Sequence, residues 1–222
     1  DSILEKWWSG LSENWKKVIH ANYYIQTTAI FPNIKHNFDG MITAGQFEQI
    51  YSKVFLQKLM EKSLNIQDLR NISKMKMLYA GGFDLTDLTP ISVLKGLKVL
   101  ELEANPLQNI DAIGELTDLE KLTLIIYELK KPSQIMLKNL TKMRDLSFDP
   151  TSQEELTAIT LMPNLQTFYT ILPFELDASI FNNLKKLKKV VGCSPSIKEG
   201  SQEILENLRK KGVEISWDIE EI

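Results

Sequence analysis

Along most of the chain one apolar residue is followed by two mostly polar ones. The clearest run is Ile66, Leu69, Ile72, Met75 and Leu78, followed by Leu85, Leu88, Ile91, Leu94, Leu97 and Leu100. The pattern restarts as Leu107, Ile110, Ile113, Leu116, Leu119 and Leu122. Each series closes on a short alternating segment: Leu100-Glu101-Leu102, Leu122-Thr123-Leu124, then Leu146-Ser147-Phe148. Alternation of this kind predicts a strand with one buried face. The residues three before each strand's first buried position are Met75, Leu97, Leu119, Met143, Leu165 and Leu187, in steps of 22, 22, 24, 22 and 22. A single amphipathic helix can imitate one triplet series, but it cannot keep phase over five units that each carry an alternating segment. A fixed period in this range predicts stacked repeats, each supplying one strand.

The stretch from Leu94 to Ile110, LKGLKVLELEANPLQNI, resembles the short 22-residue class of leucine-rich repeats, SDS22-like and internalin-like, the latter found in bacterial surface proteins. The resemblance runs from about Leu56 to Trp217. It implies an α/β fold: a right-handed leucine-rich-repeat solenoid with a parallel sheet on its concave side and helical or extended segments on its convex side. It further implies a non-enzymatic module that recognises a protein through the concave face. The family usually places Asn after each strand, where the side chain satisfies the backbone of a tight turn. Here Asn105 alone does so, and Phe83, Tyr127, Thr151, Pro173 and Pro195 occupy the equivalent positions. Those turns are therefore expected to rely on other contacts.

A solenoid exposes apolar core at both ends, so its terminal units must differ from the rest. Residues 1–52 lack the triplets and are read as a helical N-terminal cap. Ser12 is placed to cap a helix through Trp15, Val18, Ile19 and Tyr23, and Thr43-x-x-Gln46 forms a capping box before Phe47 and Ile50. Leu56 to Glu61 reads as a degenerate first strand. Residues 53–195 hold the repeats, and 196–222 form a C-terminal cap, the whole being one continuous structural domain. In that last segment a helix starting at Ser201 is expected to end at Gly212, with a closing strand over Val213–Trp217. Trp7, Trp8, Trp15 and Trp217 all fall in the caps and are expected to cover exposed core.

Side chains between the buried leucines point to the concave side. Stacking the repeats gives three rows: Met77, Val99, Lys121, Asp145, Thr167, Lys189; Tyr79, Glu101, Thr123, Ser147, Tyr169, Val191; and Gly81, Glu103, Ile125, Asp149, Ile171, Cys193. From these the candidate partner-binding residues are Tyr79, Val99, Glu101, Glu103, Thr123, Ile125, Asp145, Ser147, Asp149, Tyr169 and Ile171. Aromatic and apolar members supply anchors of the kind enriched at interaction hot spots, and Glu101, Glu103, Asp145 and Asp149 make the middle acidic.

The chain's 222 residues carry a formal charge of −3, which gives no basis for phosphate-driven nucleic-acid binding. No apolar stretch approaches the length of a membrane span. Cys193 is the single cysteine, which excludes an internal disulfide and a thiolate metal site. His20 and His36 lie in the N-terminal cap, far along the solenoid from Cys193, so neither a thiol enzyme nor a zinc site is expected. Asp145 and Asp149 lack the ligand spacing of a calcium loop. Lys185-Lys186-Leu187-Lys188-Lys189 surrounds a buried leucine and is read as a solvated convex edge. Gly81-Gly82 lacks the setting of a phosphate loop. No cofactor is expected. A protein is the expected partner, with a glycan as the alternative ligand and an architectural or targeting segment of a larger, cell-surface protein as the alternative role. The chain begins at Asp1 rather than Met, which leans toward an extracytoplasmic or cell-envelope location, with the cytoplasm as the alternative.

Overall fold

A computed structural model describes residues 1–27, 60–126 and 137–219. Its frame is a seven-stranded, all-parallel sheet in strict chain order: β1 (Met77–Tyr79), β2 (Val99–Glu103), β3 (Lys121–Ile125), β4 (Asp145–Phe148), β5 (Thr167–Ile171), β6 (Lys189–Ser194) and β7 (Glu214–Ile219). Register follows the repeat, with Leu78 paired to Leu100, Leu100 to Leu122, Leu122 to Leu146, Leu146 to Phe168 and Phe168 to Val190. All of these residues are buried.

The triplets between strands have a direct geometric cause. A 3₁₀-helix turns once every three residues, so an apolar residue at every third position keeps one face inward. Such segments span Thr89–Val93, Asp111–Glu115, Ala158–Leu161 and Ala178–Asn183. Ile91, Ile113, Ile159 and Ile180 are among their buried members. The same leucines thus continue from the convex turns into the sheet and form one core.

Where β2 ends, Ala104 takes a left-handed conformation (φ 49°), and Gly82 does the same (φ 72°) one period earlier. This bend delivers Asn105 into the core, where its Oδ1 accepts from the amides of Phe83 and Leu85 at 3.1 Å each. Its amide group donates to the carbonyls of Ala80 and Glu103. One side chain thereby satisfies the turns of two consecutive repeats. At the equivalent position Thr151 has no such reach, and its amide and hydroxyl donate to Glu155 instead. Tyr127 lies outside the described residues.

Two helices, α1 (Ser2–Gly10) and α2 (Glu13–Thr27), form the described part of the N-terminal cap. The Ser12 hydroxyl accepts from the Trp15 amide, as expected of the residue before α2. The Trp7 and Trp15 indoles donate to the carbonyls of Pro90 and Asp87, tying the cap to the first 3₁₀ turn. The helix α1 was not anticipated from the sequence. Neither was α3 (Ile66–Ile72), whose Asn65 and Asp68 form a reciprocal capping box. The capping box at Thr43 lies outside the described residues. So does most of the degenerate strand expected over 56–61, whose described end is a helical residue, Met60, followed by a turn at Glu61.

Between β4 and β5 runs α4 (Gln153–Thr157), started by the Ser152 hydroxyl. The C-terminal cap comprises α5 (Ser201–Lys210), ended by Gly212 at φ 89°, and β7. Trp217 covers the last layer of core, edge-on to Phe181, and its indole donates to the Ser194 hydroxyl at 3.1 Å. Gly192 makes this possible, because a Cβ there would lie 2.8 Å from the Trp217 ring and 2.5 Å from the Thr170 carbonyl.

Candidate partner-binding face

Parallel pairing places the proposed side chains in rows, two of which run unbroken across all seven strands. One row reads Met77, Val99, Lys121, Asp145, Thr167, Lys189, Glu214, and the next reads Tyr79, Glu101, Thr123, Ser147, Tyr169, Val191, Ser216. In the third, Glu103 pairs with Ile125, and Ile171 pairs with Cys193 and then Asp218. The rows therefore run one strand further than expected, onto β7. The alternation of Glu214, Ser216 and Asp218 in the sequence was the signal for it.

The members of these rows differ in what they can offer. Ile171 is 54% exposed, and Tyr169, Val191 and Ile125 are half-buried around the same region. Val99 and Thr123 are buried, contrary to their expected role as contact residues; Val99 is flanked in its row by the longer Met77 and Lys121. Ser147 and Asp145 are half-buried.

Glu101 and Tyr79 form an enclosed corner. The Glu101 side chain is only 13% exposed and lies 3.3 Å from Lys121 Nζ. Its Oε1 is shut off from solvent without a well-directed hydrogen bond. Burial pushes its carboxyl above the ordinary range; Lys121 opposes the shift and Glu103 adds to it. Burial, reinforced by the Glu101 charge, pushes the Tyr79 phenol up to about 12.

Asp149, a candidate contact residue, is also engaged within the sheet. Pairing of β4 with β5 stops at Ser147↔Tyr169. The Ile171 amide then donates to Asp149 Oδ1 at 2.8 Å, so the carboxylate stands in for a main-chain acceptor. Pro150 follows it and cannot extend the ladder. Burial raises the Asp149 carboxyl despite that bond.

Cys193 is half-buried in β6, whereas His20 is buried in α2, which packs on β1 at the other end of the sheet. His36 lies outside the described residues. Among the described residues no cluster of His, Cys, Asp and Glu could hold a metal ion, and no helix is long and apolar enough to cross a membrane.

A chain-ordered parallel sheet backed by 3₁₀ turns, with helices at its N-terminal end, is the internalin-like leucine-rich-repeat fold. Among solved structures the chain is similar to an internalin C2 from Listeria monocytogenes str. 4b F2365, at 23% identity and a TM-score of 0.51 over 62% of this chain and 68% of that one. It is also similar to an internalin, InlF, from the same strain, at 25% identity and a TM-score of 0.50 over 71% of this chain. It spans 46% of that second protein. No family model and no curated protein matches the sequence. The fold is one consistent with a binding module and is typically non-enzymatic.

Proposed function

We propose that this protein is a non-enzymatic binding module that recognises another protein through the concave sheet, within one continuous domain of N-terminal cap, repeats and C-terminal cap. The observation that carries this reading is the half-exposed apolar group of Tyr169, Val191 and Ile171 on the face of a seven-stranded sheet. Large apolar side chains left facing solvent on a regular sheet mark contact surfaces more often than chance exposure does. Strands spaced about 4.8 Å apart give a face about 29 Å wide, enough for an interface of ordinary size.

A pull-down from an extract of the source organism tests it, comparing wild type with Tyr169→Ala/Ile171→Ala and using circular dichroism to confirm that both are folded. A partner captured by wild type and lost, or weakened at least tenfold, by the double variant supports the concave face. A partner held equally by both moves the site to the caps or the convex side. A ligand sensitive to glycosidase rather than to protease makes the recognised molecule a glycan.

A further inference from the structure

The concave rows carry six carboxylates, Glu101, Glu103, Asp145, Asp149, Glu214 and Asp218, and two lysines, Lys121 and Lys189. The rest of the chain is close to balanced, because the whole sequence has 29 acidic and 26 basic residues. The negative charge is thus concentrated on one face.

Internal partners sort the six into two groups. Lys121 is taken by Glu101 at 3.3 Å, and Lys189 by Glu214 at 2.6 Å. Asp149 is taken by the Ile171 amide. Among the described residues Glu103, Asp145 and Asp218 have no ion pair, and both lysines of the rows are already engaged.

We propose that the partner presents a basic, Lys/Arg-bearing protein surface to these three carboxylates, set around an apolar contact on Ile171 and Tyr169. This rests on the concave face being the docking surface. Geometry separates it from a small-cation site. With about 4.8 Å per strand and about 3.3 Å per residue, Glu103 and Asp145 lie about 16 Å apart, and Asp145 and Asp218 about 20 Å apart. No single ion spans such gaps. They also exceed the Debye length of about 8 Å at physiological salt, so each carboxylate must meet its own cation rather than act through a shared field. Charge placed this way selects partners and speeds encounter while the apolar contact supplies most of the affinity.

Three fluorescein-labelled 14-residue peptides provide the test. They share Ile and Tyr at fixed positions and carry Lys, Gln or Glu at all others. Binding is read by anisotropy in 0.15 M NaCl. The proteins are wild type, the concave variant Glu103→Gln/Asp145→Asn/Asp218→Asn, and a control with the same charge change elsewhere, Glu175→Gln/Glu203→Gln/Glu206→Gln. Matching thermal midpoints establish that all three are folded. The expected result is at least tenfold tighter binding of the Lys peptide than of the other two to wild type, a tenfold loss in the concave variant and less than a twofold change in the control. Equal losses in both variants would show generic attraction and overturn the proposal, as would Gln or Glu peptides binding as tightly as Lys, or no binding of the Lys peptide. Should the native partner depend on Tyr169 and Ile171 while the Lys peptide shows no preference, the charge assignment fails and the docking face stands.

Discussion

At the scale of single residues, the sheet face separates into side chains engaged within the fold and side chains turned to solvent, and Asp149 shows that its place in a row does not by itself sort a residue between them. The 22-residue period was enough to put it in the right row, because parallel register repeats without slippage when every strand buries the same face. What spacing could not show was that Pro150 ends the ladder, leaving the Ile171 amide to be met by a carboxylate. Burial of Val99 and Thr123 was equally illegible, since it depends on the lengths of side chains one strand away. The pH dependence of Asp149 follows from its raised carboxyl. A carboxyl held above its unfolded value favours the folded state below the unfolded pKa, and that contribution is lost as pH rises through the folded value. At neutral pH the buried charge therefore opposes folding. Asp149→Asn keeps an acceptor for Ile171 and removes the charge. Its urea midpoint should exceed that of wild type at pH 7, and the advantage should vanish near pH 3. A lower midpoint at pH 7 would mean that the charge–amide bond outweighs desolvation.

At the scale of elements, the end of the sheet at β1 presents a physical problem that α2 solves. An open edge exposes unpaired amides and carbonyls that recruit further strands. Asn22, 1% exposed, accepts from the Tyr79 amide at 2.9 Å and donates to the Tyr79 carbonyl at 2.8 Å. Gln26, one helical turn on, donates to the Met77 carbonyl at 2.9 Å. Two side-chain amides thus take the place of a neighbouring strand. Little of this was visible in the sequence, because amides four residues apart on a helix are commonplace and only the docking of α2 against β1 gives them meaning. The helix α1 was more legible than it was read to be: Leu4, Trp7, Trp8 and Leu11 follow helical spacing, and three of them pack partly buried against the core. Asn22→Leu keeps the apolar docking of α2 but removes the Asn22 bonds to both Tyr79 main-chain groups, a cost of about 1–3 kcal/mol each when buried. Light scattering coupled to size exclusion should show a destabilised protein that self-associates with rising concentration. A stable monomer would mean that water reaches that edge and the amides are dispensable.

At the scale of the whole molecule, contacts run almost entirely between successive strands, so each repeat feels its neighbours and little beyond them. Stability in such an array is close to a sum of nearest-neighbour interfaces, and damage at one end need not be felt at the other. Trp15 is the sharpest place to apply this. It is buried, and its indole donates to the Asp87 carbonyl at 2.9 Å, bridging α2 to the turn between β1 and β2. Removing a buried tryptophan side chain costs about 3–5 kcal/mol. In a single cooperative unit that loss would lower the protection of every core amide alike. In this solenoid Trp15→Ala should raise amide hydrogen exchange at the β1–β2 end, at Ala80 and Gly82 whose amides bond β2, by at least a hundredfold. The amides of β6 and β7 should stay within a fewfold of wild type, because Trp217 and Phe181 cover that end independently. Uniform acceleration across all seven strands would show instead that the N-terminal cap holds the entire stack, and the caps would then be coupled through the sheet that lies between them.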